Sequence, residues 1–319
     1  MRAIVRTSYG SADVLEVAEV ERPTIRADEV LVRVCAAGLD RGVWHLMTGT
    51  PYLLRLGTGL RAPRHPVLGM DLAGVVETVG DRVTEVRTGD EVFGSCSGAF
   101  AEYAAVRADR CAPKPAGLGF EQAAALPTSA TTALQALRGQ GRIQPGQRVL
   151  VIGAGGGVGT YAVQLAKVHD AQVTGVCSTA KVQLVRSLGA DEVIDYTQQE
   201  LTGRYDLVLD IAGNRTLRRL RRLLTPRGTL VIVGGEGGGR WTGGLGRQFR
   251  AVLWSVVLRQ RMKFFMTISR RADLLTLREL VEDGRVTPAL DRTAALSEVP
   301  QAMRDLERGR VRGKVAVSL

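Results

Sequence analysis

Residues 148–178 read RVLVIGAGGGVGTYAVQLAKVHDAQVTGVCS. A short apolar run leads into a glycine-rich segment at residues 153–159, and apolar residues with helical spacing follow it. A second β-branched run, at residues 172–177, completes a strand, turn, helix and strand, the parts of a βαβ unit. Glycines there let backbone amides and the helix N-terminus approach a pyrophosphate without an intervening Cβ. The segment therefore predicts a dinucleotide-binding fold.

The glycine spacing departs from the strict G-x-G-x-x-G pattern, because Ala154 and Val158 interrupt it. An ordinary tight turn in an α/β protein is the alternative. The strand before and the helix after the glycines favour cofactor binding. The predicted phosphate-binding residues are Gly153, Gly156, Gly157, Val158 and Gly159.

Length and composition limit the classes of protein that fit. A chain of 319 residues, 45% of them hydrophobic, predicts two domains with ordinary cores. No run approaches the roughly 20 apolar residues that span a bilayer, and the first residues lack the apolar run of a signal peptide, so we expect a cytoplasmic protein. The net charge of +11 comes from scattered arginines with few aromatic residues, which disfavours nucleic acid as a partner and suits an anionic cofactor.

Residues 1–121 are β-rich, with short strands between turn residues, and predict an antiparallel, partly closed sheet. Strands and helices alternate within residues 122–267, which predicts a doubly wound parallel sheet. We expect helices at 121–126 and 132–137, interrupted by Pro127, and another at 181–188. A glycine-rich loop is expected at 234–250, followed by an apolar helix at 251–258 that serves as a lid or a subunit contact.

Several segments together resemble the medium-chain dehydrogenase/reductase superfamily, in particular its zinc-independent quinone oxidoreductases and enoyl reductases. The matching segments are AAGLD at 36–40, HPVLGMDLAGVVETVG at 65–80, GDEVFG at 89–94, FAEYA at 100–104, SLGADEVIDY at 187–196 and RGKVAVSL at 312–319. The resemblance implies a GroES-like catalytic domain at 1–121, completed by 268–319, and an inserted Rossmann NADP-binding domain at 122–267. It also implies a homodimer or homotetramer, assembled through the strand near residues 264–266.

Two positions depart from the zinc alcohol dehydrogenases of that superfamily. Asp40 stands where they have cysteine, and Met70 stands where they have histidine. A thioether is a poor ligand for zinc, and the four cysteines show no C-x-x-C spacing. We therefore predict no metal site. Without a Lewis acid, reduction of a quinone or an α,β-unsaturated carbonyl is favoured over alcohol oxidation.

The residues after the second strand predict NADPH rather than NADH. NAD-binding proteins place a carboxylate there for the ribose hydroxyls, whereas this sequence continues with Ser178, Thr179 and Lys181 and offers no carboxylate nearby. Hydroxyl and ammonium groups suit a 2′-phosphate, although Lys181 could simply be a solvated helix residue. The resemblance adds Tyr196 beside that phosphate and Thr132 near the nicotinamide. Further cofactor contacts are expected where later strands end, at Gly213, Val233, Gly234 and Gly235.

The resemblance also supplies candidates for the chemistry. Tyr52 and His45 are alternative proton donors to the reduced acceptor, since histidine titrates near neutrality and a tyrosine can hold its phenol proton at the carbanion. Tyr52 could instead be an aromatic wall residue, and His45 a loop histidine. Asp40 could bind a ribose hydroxyl or stabilise a turn. We assign Lys314 no role beyond a contact on the cofactor side.

Three functions stay open from the sequence. The first is NADPH-dependent reduction of a quinone or enone, and the second is enoyl reduction in polyketide or lipid synthesis. The third is a non-catalytic NADPH-binding or membrane-associated protein, which the basic residues 259–263 beside the apolar residues 251–258 suggest.

Overall fold

The computed structural model describes residues 1–235, 239–257 and 259–319, and it divides into two compact units. Unit 1 consists of Met1–Thr131 and Ile268–Leu319, and unit 2 is Thr132–Thr267. Unit 1 is β-rich, and unit 2 contains a parallel sheet with helices between its strands. The fold class predicted from the sequence is confirmed.

Within the described residues, the strands in chain order are β1 Arg2–Val5, β2 Glu16–Glu19, β3 Glu29–Leu39, β4 Asp71–Val79, β5 Glu91–Ser95, β6 Tyr103–Arg107, β7 Cys111–Pro113, β8 Arg148–Ile152, β9 Gln172–Cys177, β10 Glu192–Asp195, β11 Tyr205–Asp210, β12 Leu224–Ile232, β13 Arg261–Phe264, β14 Leu290–Ala295 and β15 Lys314–Ser318. The α-helices are α1 Arg41–Thr48, α2 Arg55–Thr58, α3 Phe120–Ala124, α4 Pro127–Leu134, α5 Gly157–Val168, α6 Val182–Ser187, α7 Leu217–Arg222, α8 Leu245–Val257, α9 Arg271–Glu282 and α10 Val299–Glu307.

The main sheet of unit 1 has the order β14-β15-β3-β4-β5-β7, and β6 also pairs with β3. Its neighbours are antiparallel except for β14 and β15, which are parallel. β3 alternates between buried and partly exposed residues and then becomes fully buried towards Leu39. Helix α3 covers that end so closely that a Cβ at Gly38 would overlap the carbonyl oxygen of Ala124. The end of β3 is therefore held by backbone contact.

The sheet of unit 2 has the order β10-β9-β8-β11-β12-β13, with every pair parallel. The chain moves outward from β8 to β10 and then returns to β11 on the other side of β8. The strand order thus reverses between β8 and β11, and ligands of such sheets bind at the carboxyl ends next to this point. The glycine-rich turn and the segments that follow β9, β11 and β12 all lie at that edge.

Some element predictions were wrong. Pro127 separates two helices as predicted, but the second helix, α4, begins at Pro127 itself and not at residue 132, because proline is well suited to the first turn, where no amide donor is needed. This helix continues as a π-helix, Gln135–Gly141. Helix α8 begins at Leu245, inside the stretch that was expected to be a loop. Residues 236–238 of that stretch, and Leu258 of the expected apolar helix, lie outside the described residues. Helix α6 begins at Val182 because the three residues before it form a 3₁₀ turn.

Substituting Gly159→Ala should destabilise the protein, because the new Cβ would meet the backbone at Gly153 and Ala154, which cannot move aside. We expect a loss of about 1–3 kcal/mol, measured as a fall in the melting temperature. The control is Gly139→Ala, whose Cβ would meet nothing within 4 Å. That substitution should be neutral or stabilise by up to about 1 kcal/mol. Equal melting temperatures for the two variants would contradict this account of the turn.

Candidate functional site

The glycine-rich turn of unit 2 forms a tight backbone loop between β8 and α5. Gly153 has φ +92°, a conformation that favours glycine. The amides of Gly153 and Ala154 both donate to the carbonyl oxygen of Val176 at 3.0 Å, which fixes the turn to β9. Each of these contacts joins backbone atoms, so the shape of the loop depends little on side chains.

Helix α5 begins at Gly157 and has no side-chain cap on its first turn. The first amides of a helix need acceptors, and an uncapped end can supply them to an anion. A Cβ at Gly156 would meet only the carbonyl oxygen of Gly153, at 3.5 Å, so the approach is open. The residues predicted for the pyrophosphate therefore suit that group.

Lys181 lies beside this turn. A Cβ at Gly155 would come within 2.7–3.2 Å of the Cβ, Cγ and Cδ atoms of Lys181, so the stem of the lysine packs over the glycine. Tyr196 follows β10, the neighbour of β9, and its side chain is 53% exposed. Ser178 directly follows β9. The structure therefore places Ser178, Lys181 and Tyr196 at the carboxyl ends of adjacent strands.

A carboxylate lies close to these residues, which corrects the prediction that none is available. Asp195 pairs with Cys177 across β10 and β9. Thr179 Oγ1 donates to Asp195 Oδ2 at 2.5 Å and lies 2.9 Å from Thr197 Oγ1. Hydrogen bonds from both threonines lower the pKa of Asp195 and keep it ionised. Thr179 therefore holds a negative charge beside the predicted 2′-phosphate position.

The carboxyl ends of β11 and β12 are joined by a buried ion pair that the sequence did not predict. Asp210 is fully buried, and Arg247 Nη1 donates to its Oδ2 at 2.7 Å. Arg247 also donates to the carbonyl oxygens of Arg215 and Gly234. Burial raises the pKa of Asp210, and the guanidinium of Arg247 opposes that rise.

This pair connects three of the predicted cofactor residues. The amide of Gly213 donates to Asp210 Oδ1, and the amides of Val233 and Gly234 donate to the Asp210 carbonyl oxygen. A charged residue at the end of an apolar strand was the available signal for Asp210. Arg247 lies in a glycine-rich stretch with no periodic pattern, so no signal indicated its partner.

The remaining cofactor candidates occupy different surroundings. Thr132 is nearly buried in α4, and its hydroxyl lies 2.8 Å from that of Thr267. A Cβ at Gly235 would lie 2.6 Å from the carbonyl oxygen of Gly243, so this glycine also permits a close backbone contact.

In unit 1, Asp40 caps helix α1. Its Oδ1 accepts hydrogen bonds from the amides of Gly42 and Val43, at 2.7 and 3.3 Å. Its Oδ2 is buried and has no hydrogen-bond partner among the described residues. A Cβ at Gly42 would lie 2.9 Å from Asp40 Oδ1 and 3.0 Å from Met70 Sδ, so the two departures from the zinc pattern meet at this turn. A carboxylate and a thioether there do not form a zinc site of the usual thiolate and imidazole kind.

His45 and Tyr52 lie on the segment that follows. His45 Nδ1 is 2.7 Å from the carbonyl oxygen of Thr50. A carbonyl oxygen only accepts, so Nδ1 carries a proton and donates it to this bond. The guanidinium of Arg55 stacks between the rings of Tyr52 and Tyr9, at 4.6 and 4.5 Å from their centroids. Contacts with Thr50 and Arg55 thus hold the rings of His45 and Tyr52 in place.

A buried charged group adjoins Asp40. Asp71, at the start of β4, accepts from the Oγ of Ser95 and from both the amide and the hydroxyl of Thr128. Lys314 is 1% exposed, and its Nζ lies 3.9 Å from Asp71 Oδ2. Lys314 therefore lies in unit 1 beside this carboxylate. Burial, together with the Asp40 carboxylate, raises the pKa of Asp71 to about 7, against the opposing effect of Lys314.

Comparisons with known proteins place this fold. The profile of the alcohol dehydrogenase GroES-like domain matches residues 26–116, and that of zinc-binding dehydrogenase matches residues 188–317. The 2-methylene-furan-3-one reductase of Solanum lycopersicum is 33% identical over 99% of this chain and 79% of its own length. The NADPH-dependent alkenal/one oxidoreductase, chloroplastic, of Arabidopsis thaliana is likewise 33% identical, over 99% of this chain and 79% of its own.

The chain belongs to the medium-chain dehydrogenase/reductase superfamily. Within that superfamily it lies in the quinone oxidoreductase-like branch, as the sequence motifs predicted. The Escherichia coli quinone oxidoreductase complexed with NADPH superposes on this medium-chain reductase with a TM-score of 0.86 and 26% identity, over the whole of both chains.

Two features are absent from the part of the chain that the structure describes. No three side chains of His, Cys, Asp or Glu come together in a group that could hold a metal ion. No helix there is long and apolar enough to cross a bilayer.

Substituting Asp71→Asn should remove a pH-dependent contribution to the free energy of unfolding. The folded-state pKa of Asp71 is about 7, whereas an aspartate in an unfolded chain has a pKa of about 3.9. The folded state therefore keeps a proton that the unfolded state releases, and the stability gained is present below pH ~4 and lost as the pH rises through about 7. In urea titrations, the wild-type free energy of unfolding relative to Asp71→Asn should fall across that window, by at most about 1.4 kcal/mol per pH unit.

The variant Lys314→Met serves as a second test of the same group. Removing the ammonium takes away the interaction that lowers the pKa of Asp71, so the pH window should move upwards. A difference between wild type and Asp71→Asn that stays constant from about pH 4 to pH 8 would contradict the raised pKa.

Proposed function

We propose that this protein is an NADPH-dependent, zinc-independent oxidoreductase that transfers a hydride to a quinone or an α,β-unsaturated carbonyl compound. The observation that carries the proposal is the uncapped first turn of α5, which opens at the carboxyl edge of the parallel sheet beside Lys181. The names of the relatives support it, since they include an alkenal/one oxidoreductase that is NADPH-dependent and a quinone oxidoreductase complexed with NADPH.

Bound NADPH supplies the hydride, and the protein supplies binding and orientation. The first amides of α5 would bind the pyrophosphate, where the helix dipole also favours negative charge. Ser178, Lys181 and Tyr196 would bind the 2′-phosphate. The segments that begin at Gly213 and Val233 are held in place by Asp210, and Thr132 would lie near the nicotinamide.

The acceptor needs no metal in this proposal. An enone or a quinone is already electrophilic, and Asp40 and Met70 offer zinc an unsuitable set of donors. Hydride addition to an enone leaves a carbanion that takes up one proton. His45 Nδ1 donates to the carbonyl oxygen of Thr50, so this N–H is already engaged. Tyr52 therefore fits the role of donor better, and Arg55 positions its ring. A reduced quinone can take its protons from water.

We assign the catalytic role to residues 1–121 with 268–319 and NADP binding to residues 122–267. A homodimer is supported by β13, which is the last strand of its sheet and can pair with a second copy. A cytoplasmic location is supported by the four cysteines, all of which are free thiols.

The cofactor can be tested with Lys181→Met, which keeps the stem over Gly155 and removes the charge. Wild type should use NADPH with a higher kcat/KM than NADH. The variant should lose about tenfold or more with NADPH, mainly through KM, because a charge-assisted hydrogen bond is lost. Lys167→Met is the control, since Lys167 pairs with Asp191 and is not among the predicted cofactor residues. A wild-type preference for NADH would contradict the proposal and point to Asp195 as a partner of the ribose hydroxyls.

The acceptor and the proton donor can be tested together with a panel of 1,4-naphthoquinone, simple enones and 2-enoyl thioesters. Tyr52→Phe should lower kcat for enones by about 10²-fold, since general acids contribute that much or more, and should leave quinone reduction nearly unchanged. His45→Gln is the matched variant, and a selective loss there would assign the proton to His45. Turnover restricted to thioesters would identify an enoyl reductase of polyketide or lipid synthesis.

A membrane-associated role is the second candidate, because one helix carries an exposed apolar side. Phe249, Val252 and Leu253 in α8 are 65%, 42% and 65% exposed, at the spacing of one helix face. Binding to anionic vesicles with no turnover on the whole acceptor panel would favour this role over catalysis.

A further inference from the structure

Arg215 occupies a central position in the basic surface of unit 2. It follows β11 and lines three cavities, of about 640, 270 and 420 Å³. The largest of these is also lined by Arg218, Arg247 and Arg250, and by no carboxylate among the described residues. Among the described residues that line the three cavities, Glu200 is the single acidic one. Arg219 pairs with it at 3.1 Å. The surroundings of Arg215 are thus strongly cationic.

The guanidinium of Arg215 forms no ion pair within 4 Å among the described residues, and the buried Asp210 carboxylate acts on it only from a greater distance. Its Nε is buried and has no hydrogen-bond partner among the residues that the structure describes. Burial lowers the pKa of Arg215, and the nearby Arg219 adds to that effect. Its backbone carbonyl oxygen accepts a hydrogen bond from Arg247. The side chain is therefore a donor without an acceptor, which is costly unless a ligand supplies one.

The cavity of about 420 Å³ connects Arg215 with the predicted 2′-phosphate residues, since Tyr196 and Thr197 line it as well. The hydroxyl of Thr197 lies 2.9 Å from that of Thr179. Asp195, bonded to both threonines, places a negative charge there that would oppose a phosphate. The guanidinium of Arg215 would offset that charge, and a guanidinium can bind phosphate with two parallel hydrogen bonds.

We propose that Arg215 determines the preference for a 2′-phosphorylated adenosine, by donating to that phosphate from the cavity that it shares with Tyr196. The proposal rests on the proposed use of NADPH and adds the residue that makes NADPH acceptable next to Asp195. Lys181 supplies a point charge from the side of the glycine turn, and Arg215 supplies the directed hydrogen bonds.

Binding of 2′,5′-ADP and of 5′-AMP to the full-length protein, measured by calorimetry, tests this without turnover. Wild type should bind 2′,5′-ADP the more tightly. Arg215→Met should lose about tenfold in affinity for 2′,5′-ADP and keep its affinity for 5′-AMP, because only the phosphate contact is removed. Arg215→Lys, which keeps the charge without the planar fork, should give an intermediate value.

Two further variants show whether the effect is specific. Arg222→Met, at the exposed end of the helix α7 that follows Arg215, should bind both nucleotides as wild type does. Arg219→Met should reduce the affinity for 2′,5′-ADP less than Arg215→Met does, because Arg219 already donates to Glu200. An unchanged affinity ratio in Arg215→Met, or an equal loss for both nucleotides, would overturn the role of Arg215. A wild type that binds the two nucleotides equally would instead overturn the use of NADPH, and this inference with it.

Discussion

The contact between the first turn of α5 and the backbone of the preceding turn is the constraint on which unit 2 depends. A side chain at Gly159 would collide with Gly153 and Ala154. Helix α5 can therefore begin this close to the preceding turn only because residue 159 is glycine. The same turn is tied to β9 through Val176. The helix end and the next strand are therefore set relative to one another by backbone contacts.

Buried charges organise the two units in different ways. In unit 1, Asp71 and Lys314 lie within the sheet, next to the cap of α1. In unit 2, Asp210 and Arg247 hold the segments after β11 and β12. Buried pairs of this kind add little net stability, because desolvation offsets their attraction. Their main effect is to fix loops in one arrangement, and in unit 2 they leave Arg215 with its carbonyl bound and its guanidinium available.

The sequence predicted features that depend on local pattern. Hydrophobic periodicity located most strands, and the glycine cluster located the phosphate-binding turn. Features that depend on strand neighbours were missed. Asp195 lies beside Thr179 because β10 pairs with β9 in a particular register. The spacing of residues along the sequence does not reveal that register. The stacking of Arg55 on Tyr52 was missed for a different reason, because the intervening 3₁₀ turn has no distinctive composition. The separation of two helices at Pro127 was predicted correctly, but Pro127 was not recognised as the first residue of α4, a position that proline favours.

The order of strands in unit 1 has a consequence for biosynthesis. Strand β15 lies between β14 and β3, with Val317 opposite Ala37. All of unit 2 lies between these two strands in the sequence. Until β15 has been synthesised, residues 36–39 of β3 have no partner on that side, whereas residues 29–33 can already pair with β6. Unit 2 is continuous in sequence and can form first, so the nascent chain is most open to wrong strand pairing at residues 36–39 in the interval before β15 emerges.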